Sequence, residues 1–420
     1  MRPAALDEPT TPVGGRWIAT WTAALFGMYA AYYGAAQVLL PKQAEEIVGD
    51  GDGKVALVSW VTGIAALVTV VVTVAAGIRS DRNRAAGRHR WVLGGALLTG
   101  AAMLVQGFAG SGATMIAGWA LANAGIACMT AALFAVVPDE VPVTQRASVS
   151  AWFGIAISVG PLLGIALVTL VVLGVRPGFA LLGVLALALA LPYAFPALRR
   201  RHGPVPVAVA VAVAVAVAVA PSRSGGLAGV FAPLRHADFA WAWAGRFLIQ
   251  LSNALAQVYL FFYLKDFVHY PDPDTGTFVL ALVYTVGVVA AALPAGRISD
   301  RTQRRKRMVV ISSLLQGGAG LVFAFMPVFG ATIVGAALLG IGYGVYASVD
   351  QALVTEVLPD PADRGRDLGV INIANVAPYA LTGLIGGVVI SSFGYPTLML
   401  LVVLTGALAA LTVQPIRSVR

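Results

Sequence analysis

The sequence predicts an all-α membrane protein of twelve transmembrane helices in two six-helix repeats, and three observations carry that expectation. Of its 420 residues 59% are hydrophobic and only 11% charged, with a mean hydropathy of +0.84, whereas a soluble chain of this length carries roughly twice that share of charge. Apolar runs of the length that crosses a bilayer's hydrocarbon core, about 20 residues, recur from end to end. A Gly-x-x-x-Asp-Arg element occurs twice, beginning at Gly77 and at Gly296.

The spans follow in order. Trp17 to Leu40 is the first, and at 24 residues it is too long for a signal-peptide core. Val55 to Gly77 is the second. Trp91 to Pro138 is uncharged over 48 residues, enough for two spans, with a turn at Gly110, Ser111 and Gly112. Ala147 to Leu173 and Phe179 to Ala197 complete the first repeat. The second repeat opens with Ala240 to Leu264, interrupted only by Arg246, and continues with Thr275 to Ala295. Met308 to Val349 divides at Pro327 to Gly330, and Leu368 to Ile416 divides at Ser391 to Pro396. The expected organisation is therefore an N-terminal tail (1–16), a six-helix bundle (17–197), a central linker (198–239), a second bundle (240–416) and a C-terminal tail (417–420). Val207 to Ala220 is an unbroken Val-Ala alternation that would extend about 21 Å as a helix, short of the roughly 30 Å of hydrocarbon. It reads as a low-complexity insertion in the linker.

Charge sets the orientation. With both termini in the cytoplasm, the inner segments hold all of the 28 basic residues except Lys42, Lys54, Arg176 and Lys265 outside and Arg246 within a span. That bias places the chain as a multi-pass protein of the cell membrane with cytoplasmic termini. The net charge of +9 comes from these short clusters and not from one basic face, so no nucleic-acid partner is implied. The one cysteine, Cys128, lies in an apolar run, and His89, His202, His236 and His269 are scattered among polar connections. Neither a metal site nor a cofactor site follows. No phosphate-binding Gly-x-x-x-x-Gly-Lys-Ser/Thr motif is present.

Gly77-Ile78-Arg79-Ser80-Asp81-Arg82 and Gly296-Arg297-Ile298-Ser299-Asp300-Arg301 each end the second span of a repeat, and Gln37 with Gln257, Pro138 with Pro359 and Pro161 with Pro378 keep nearly the same offset. The chain thus reads as a duplication of the kind on which many secondary transporters are built. The paired loops resemble the signature loop of the major facilitator superfamily, a resemblance that covers the chain apart from its linker. The longer run from Asp81 to Trp91 is similar to the loop of sucrose-transporter-like and glycoside/pentoside/hexuronide cation symporters, with His89 in place of an arginine and no proline after Arg90. The resemblance implies that Gly77, Asp81, Arg82, Gly296, Asp300 and Arg301 form a conformational latch and do not touch substrate. Elementary chemistry agrees: the glycines admit close helices, and the aspartates pair with arginines or helix-start N–H groups. Gly160-Pro161-Leu162-Leu163-Gly164 resembles an element of drug and metabolite antiporters, but it also serves simple helix packing. The arginine such antiporters carry in the fourth span is absent between Trp119 and Val137.

Polar side chains are costly in hydrocarbon and mark faces that look into a cavity. Arg246, Gln250, Asn253 and Gln257 are spaced to share one side of the seventh helix. Tyr343, Tyr346 and Asp350 do the same on the tenth, Asn372, Asn375, Tyr379 and Thr382 on the eleventh, and Tyr29, Tyr33 and Gln37 on the first. In the superfamily, helices 1, 4, 7 and 10 line the central cavity, and three of those four carry stripes here. Amides, hydroxyls and aromatic rings suit a neutral polyhydroxylated solute. Arg246 and Asp350 fall at one depth, about 10 Å from the inner helix ends, where they could pair. Burial and the arginine act oppositely on the carboxylate's proton affinity, which suits a coupling acid, although a static pair between helices is the plain alternative. Glu356 and Asp266, near the interfaces, read as solvated.

These readings point to a monomeric secondary transporter of a small organic solute working by alternating access, with proton-coupled uptake of a sugar or glycoside ahead of proton-driven efflux of a drug or metabolite. A membrane enzyme would need a nucleophile and base at one depth, which no span offers. A non-transporting sensor or scaffold is the remaining alternative.

Overall fold

The computed structural model describes residues 9–51, 53–82, 88–199, 232–302, 304–357 and 364–416. Among them the chain forms helices and turns and no strand. Within helices, the side chains of Gly77, Asp81, Arg82, Asp300 and Asn372 lie outside what is described, as does the whole Val207–Ala220 tract.

The first helix, α1, runs from Gly15 to Val48, well past the expected Leu40, through a wide turn at Ala35–Leu39. Then follow α2 (Gly53–Arg82), α3 (His89–Gln106), α4 (Gly112–Glu140), α5 (Val143–Ala166) and α6 (Val175–Arg199). The turn expected at Gly110–Gly112 is where Ser111 caps α4: its hydroxyl accepts from the Thr114 backbone N–H, and the Thr114 hydroxyl accepts from the Ser111 N–H. The second series comprises α7 (Ala237–Val258, continued by Leu260–Phe267), α8 (Pro273–Thr302), α9 (Arg305–Phe325) and α10 (Phe329–Val357). Last come α11 (364–393) and α12 (395–412), parted at Gly394, whose φ of 79° lies in the left-handed region that favours glycine. Pro396 follows, so the break expected between Ser391 and Pro396 is built from both residues.

Among the described residues nine helices are long and apolar enough to cross a membrane, ten if the two pieces of α7 count as one span. The run holding α11 and α12 is counted once there, and α3 falls short because it opens on His89 and Arg90. The seventh span departs from expectation. Where the sequence reads one span from Ala240 to Leu264, α7 begins at Ala237 and bends by 46° at Tyr259.

Contacts divide the chain into two compact units, and the division does not fall at the linker alone. One unit comprises residues 1–35 and 68–220; the other comprises 36–67 and 221–420. In the first unit α1 packs on α5 and α6, and α3 on α4 and α6. Small residues allow the approach: a Cβ at Gly164 would strike the Ala30 carbonyl, and one at Gly95 would meet the Gly125 carbonyl at 2.6 Å. The Gly160–Gly164 element therefore has a packing role against α1 in this fold. The buried Trp21 indole donates to the Leu133 carbonyl (3.0 Å), so no polar atom of that ring is stranded. In the second unit α7 packs on the α11–α12 run, and α9 on α10 and on the same run. This repeats the α1, α3, α4, α5, α6 pairing and matches the duplication read from the sequence.

Candidate functional site

The striped face of α7 meets α10 and α11 around a buried ion pair. Arg246 and Asp350 are 8% and 7% exposed, with Arg246 Nη2 3.1 Å from Asp350 Oδ2. The rest of each group is also engaged: Arg246 Nε donates to Asn375 Oδ1 at 2.8 Å, and the Tyr346 hydroxyl donates to Asp350 Oδ1 at 2.6 Å. Helical spacing explains the set, because Tyr346 and Asp350 stand four apart on α10. The guanidinium and the carboxylate neutralise one another, so the site presents no net charge.

One turn away from the pair, Gln250 is buried and its Oε1 has no hydrogen-bond partner among the described residues. An unsatisfied buried acceptor is costly unless something supplies a donor. Beyond it, Asn253 donates to the Tyr284 hydroxyl (3.1 Å) and accepts from the Gln257 amide. Tyr284, Tyr343 and Tyr346 follow one another at centroid separations of 6.2 and 6.1 Å, a tyrosine wall beside the amides.

The structure thus brings Arg246, Gln250, Asn253, Gln257, Tyr343, Tyr346, Asp350 and Asn375 together in one unit. Tyr346 and Asn375, expected as ligand contacts, bond the ion pair directly. Gln37 is buried within the wide turn of α1, in the same unit. Tyr29 and Tyr33 belong to the other unit, where Tyr33 lies edge-on to Tyr32 and Tyr32 stacks on Trp119 at 5.8 Å. Sequence reasoning missed Tyr284 and also Asn123 of α4, which is 3% exposed, donates to the Trp119 carbonyl and accepts from Thr69. Each is an isolated polar side chain in an apolar span, a signal weaker than a stripe. Asp266, expected as solvated, keeps a partly exposed side chain (26%) and is also bonded to Lys54 (2.8 Å) and Tyr395 (2.9 Å).

Twelve helices with a repeated packing pattern and a buried polar centre describe many transport proteins. The match that decides among them is to the family model for the Major Facilitator Superfamily, over residues 21–287 and 271–418. The chain belongs to the Major Facilitator Superfamily. As a member it is a multi-pass membrane transporter of small solutes and not an enzyme. Among curated proteins it is 29% identical over 123 residues to the "Putative niacin/nicotinamide transporter NiaP" of Bacillus subtilis (strain 168), a match spanning 29% of this chain and 30% of that one. Among solved structures, the peptide transporter POT in complex with sulfate superposes with a TM-score of 0.73 at 15% identity, covering 96% of this chain and 94% of that one. The nucleoside transporter NupG superposes with a TM-score of 0.70 at 14% identity, covering 95% and 98%. At such identities the structural likeness is one of superfamily fold.

Proposed function

We propose that this superfamily member is a proton-coupled uptake transporter for a sugar or glycoside, working by alternating access in the cell membrane with both termini cytoplasmic. The observation that carries the reading is the buried Arg246–Asp350 pair. Because the two charges cancel, a neutral solute fits beside them without stranding either. Gln250, Asn253 and Gln257 supply donors and acceptors for hydroxyls, and Tyr343 offers a ring face to the apolar side of a pyranose. Asp350 is the proton carrier and Arg246 its partner, Tyr346 and Asn375 hold the pair in register, and the two signature loops act as the inner latch. Tyr29, Tyr33 and Gln37 contribute from the first helix, and Asn372 from the eleventh. The transporter acts as a monomer and needs no cofactor.

A second reading has its own support. The similarity to NiaP and the tyrosine series Tyr284, Tyr343 and Tyr346 favour a flat aromatic amide such as nicotinamide, also neutral. Purified protein in proteoliposomes, given labelled sugars, glycosides, nicotinamide and cationic dyes with an acid exterior, separates the readings. Accumulation of a sugar or glycoside supports the first, and accumulation of nicotinamide alone replaces it with the second. Movement of dyes toward the acid side would mean efflux.

A further inference from the structure

Among the amides around the ion pair one oxygen is idle. Asn375 Oδ1 accepts from Arg246 Nε at 2.8 Å, and Asn253 Oδ1 accepts from the Gln257 amide. Gln250 Oε1 accepts from nothing among the described residues, although Gln250 is 8% exposed and its oxygen is shut off from solvent. A buried acceptor without a donor costs free energy, so this one calls for a donor that arrives in another state of the protein. The helix itself points to that donor. Gln250 stands four residues after Arg246 on α7, the spacing at which side chains of one face meet. Helical side chains lean toward the N-terminal turn, which directs the Gln250 amide back over Arg246. Among the described residues Arg246 and Asp350 enter no ion pair except the one they share. The other titratable side chains around them are Tyr343 and Tyr346 of α10, Tyr379 of α11 and Tyr284 of α8. All are phenols, a group that ordinarily stays protonated near neutral pH.

We infer that Gln250 is a second berth for the Arg246 guanidinium, occupied when Asp350 takes up its proton. The inference rests on the reading of Asp350 as proton carrier given above. The proton adds to Asp350 Oδ2, the atom now 3.1 Å from Arg246 Nη2, while the guanidinium keeps its own protons, so the site passes from net zero to one positive charge. Arg246 is then left with its bond to Asn375, and an uncompensated buried cation is strongly destabilising. Gln250 Oε1 supplies a second acceptor, so that two amide oxygens hold the cation, one on its own helix and one on α11. Tyr346 need not move, because its hydroxyl donates to Oδ1, the oxygen that takes no proton. The berth therefore lowers the free energy of the protonated state alone: without the proton, the guanidinium lies with Asp350 and the oxygen has no use. Gln250 is in this sense a positioning residue for the coupling proton, and its amide N–H groups remain for a solute.

Asp350→Asn fixes the neutral form and makes the berth measurable without substrate. The melting temperature of the purified protein in detergent is compared for Gln250→Leu in three backgrounds. In the parent the exchange should not lower it, since an acceptor that nothing uses is removed. In Asp350→Asn it should fall by about 2–4 °C, the scale of a hydrogen bond to a charged group. In Asp350→Asn combined with Arg246→Gln, where no cation needs holding, that loss should vanish. Gln250→Met, nearest in length, repeats the cycle if Gln250→Leu does not fold. A second readout is the pH profile of uptake in proteoliposomes, taken with whichever labelled sugar, glycoside or nicotinamide the protein accumulates. Gln250→Leu should move half-maximal uptake toward acid by about one pH unit, a tenfold penalty on the protonated state. Equal effects of Gln250→Leu with and without the Asp350 charge overturn the berth, as does a loss that persists once Arg246 is gone. An uptake profile that keeps its midpoint while KM alone rises also overturns it and makes Gln250 a solute contact only. The proton-carrier reading fails separately, through an Asp350→Asn protein that still concentrates its solute.

Discussion

Replacing Asp350 by asparagine tests the proposed coupling with the least disturbance of shape. Asparagine keeps an oxygen to accept from Tyr346, now 2.6 Å from Asp350 Oδ1, while the charge that faces Arg246 at 3.1 Å is lost. The energetic scale of the readout is set by the driving force. One pH unit across the membrane corresponds to about 1.4 kcal/mol per proton, so a one-proton symporter concentrates its solute about tenfold at equilibrium. The variant has no titratable group at the centre of the pair and should equilibrate its substrate without concentrating it. Counterflow of labelled against unlabelled substrate should persist, because exchange uses the site and not the proton. Folding is the competing explanation, since an unpaired buried cation costs about 3–5 kcal/mol, less here because Asn375 still accepts from Arg246. Arg246→Gln combined with Asp350→Asn removes both charges and should recover thermal stability without recovering accumulation. The assay is paired: uptake into proteoliposomes under an imposed pH gradient, and counterflow without one. Asp350→Asn that still concentrates substrate about tenfold per pH unit would refute the reasoning and leave the pair as a static tie between α7 and α10.

Two further outcomes are expected. Cysteines introduced at Ser224 and at Ser418 in a Cys128→Ala background should be shielded from an impermeant maleimide in right-side-out vesicles; labelling of either would invert the proposed topology. Asp81→Asn and Asp300→Asn should slow counterflow while leaving equilibrium substrate binding intact, and lost binding with normal exchange would contradict a latch role.

What was legible in the sequence followed from constraints that act locally. Hydrocarbon thickness fixes the length of a span, and residues that cannot continue a helix mark where it stops. Hence the breaks at Gly110–Gly112, Pro327–Gly330 and Ser391–Pro396 stand where glycine, proline and serine put them. The bend at Tyr259 has no such mark, because Val258 and Leu260 flank it and no glycine or proline is near. Its contacts are tertiary, a hydroxyl bonded to Ser59 and to α11 carbonyls far away in the chain. The proximity of Arg246 to Asp350 could be read by counting 1.5 Å per residue from two helix ends, since depth in a bilayer is a shared coordinate. What an amide on a stripe bonds to is not fixed by its spacing: Asn375 and Gln250 occupy similar stripes, yet one accepts from Arg246 and the other has a buried Oε1 with no partner among the described residues. The charge rule misled in one place for a physical reason. It assigns loop lysines to solvent according to which side they lie on, and side alone carries no information about burial. Lys54 is one of the few basic residues that this reading leaves outside, and it is buried; three carboxylates around one ammonium are what make that burial tolerable. The side of the membrane assigned to a basic residue therefore leaves its burial open; its counter-ions decide whether it can leave water.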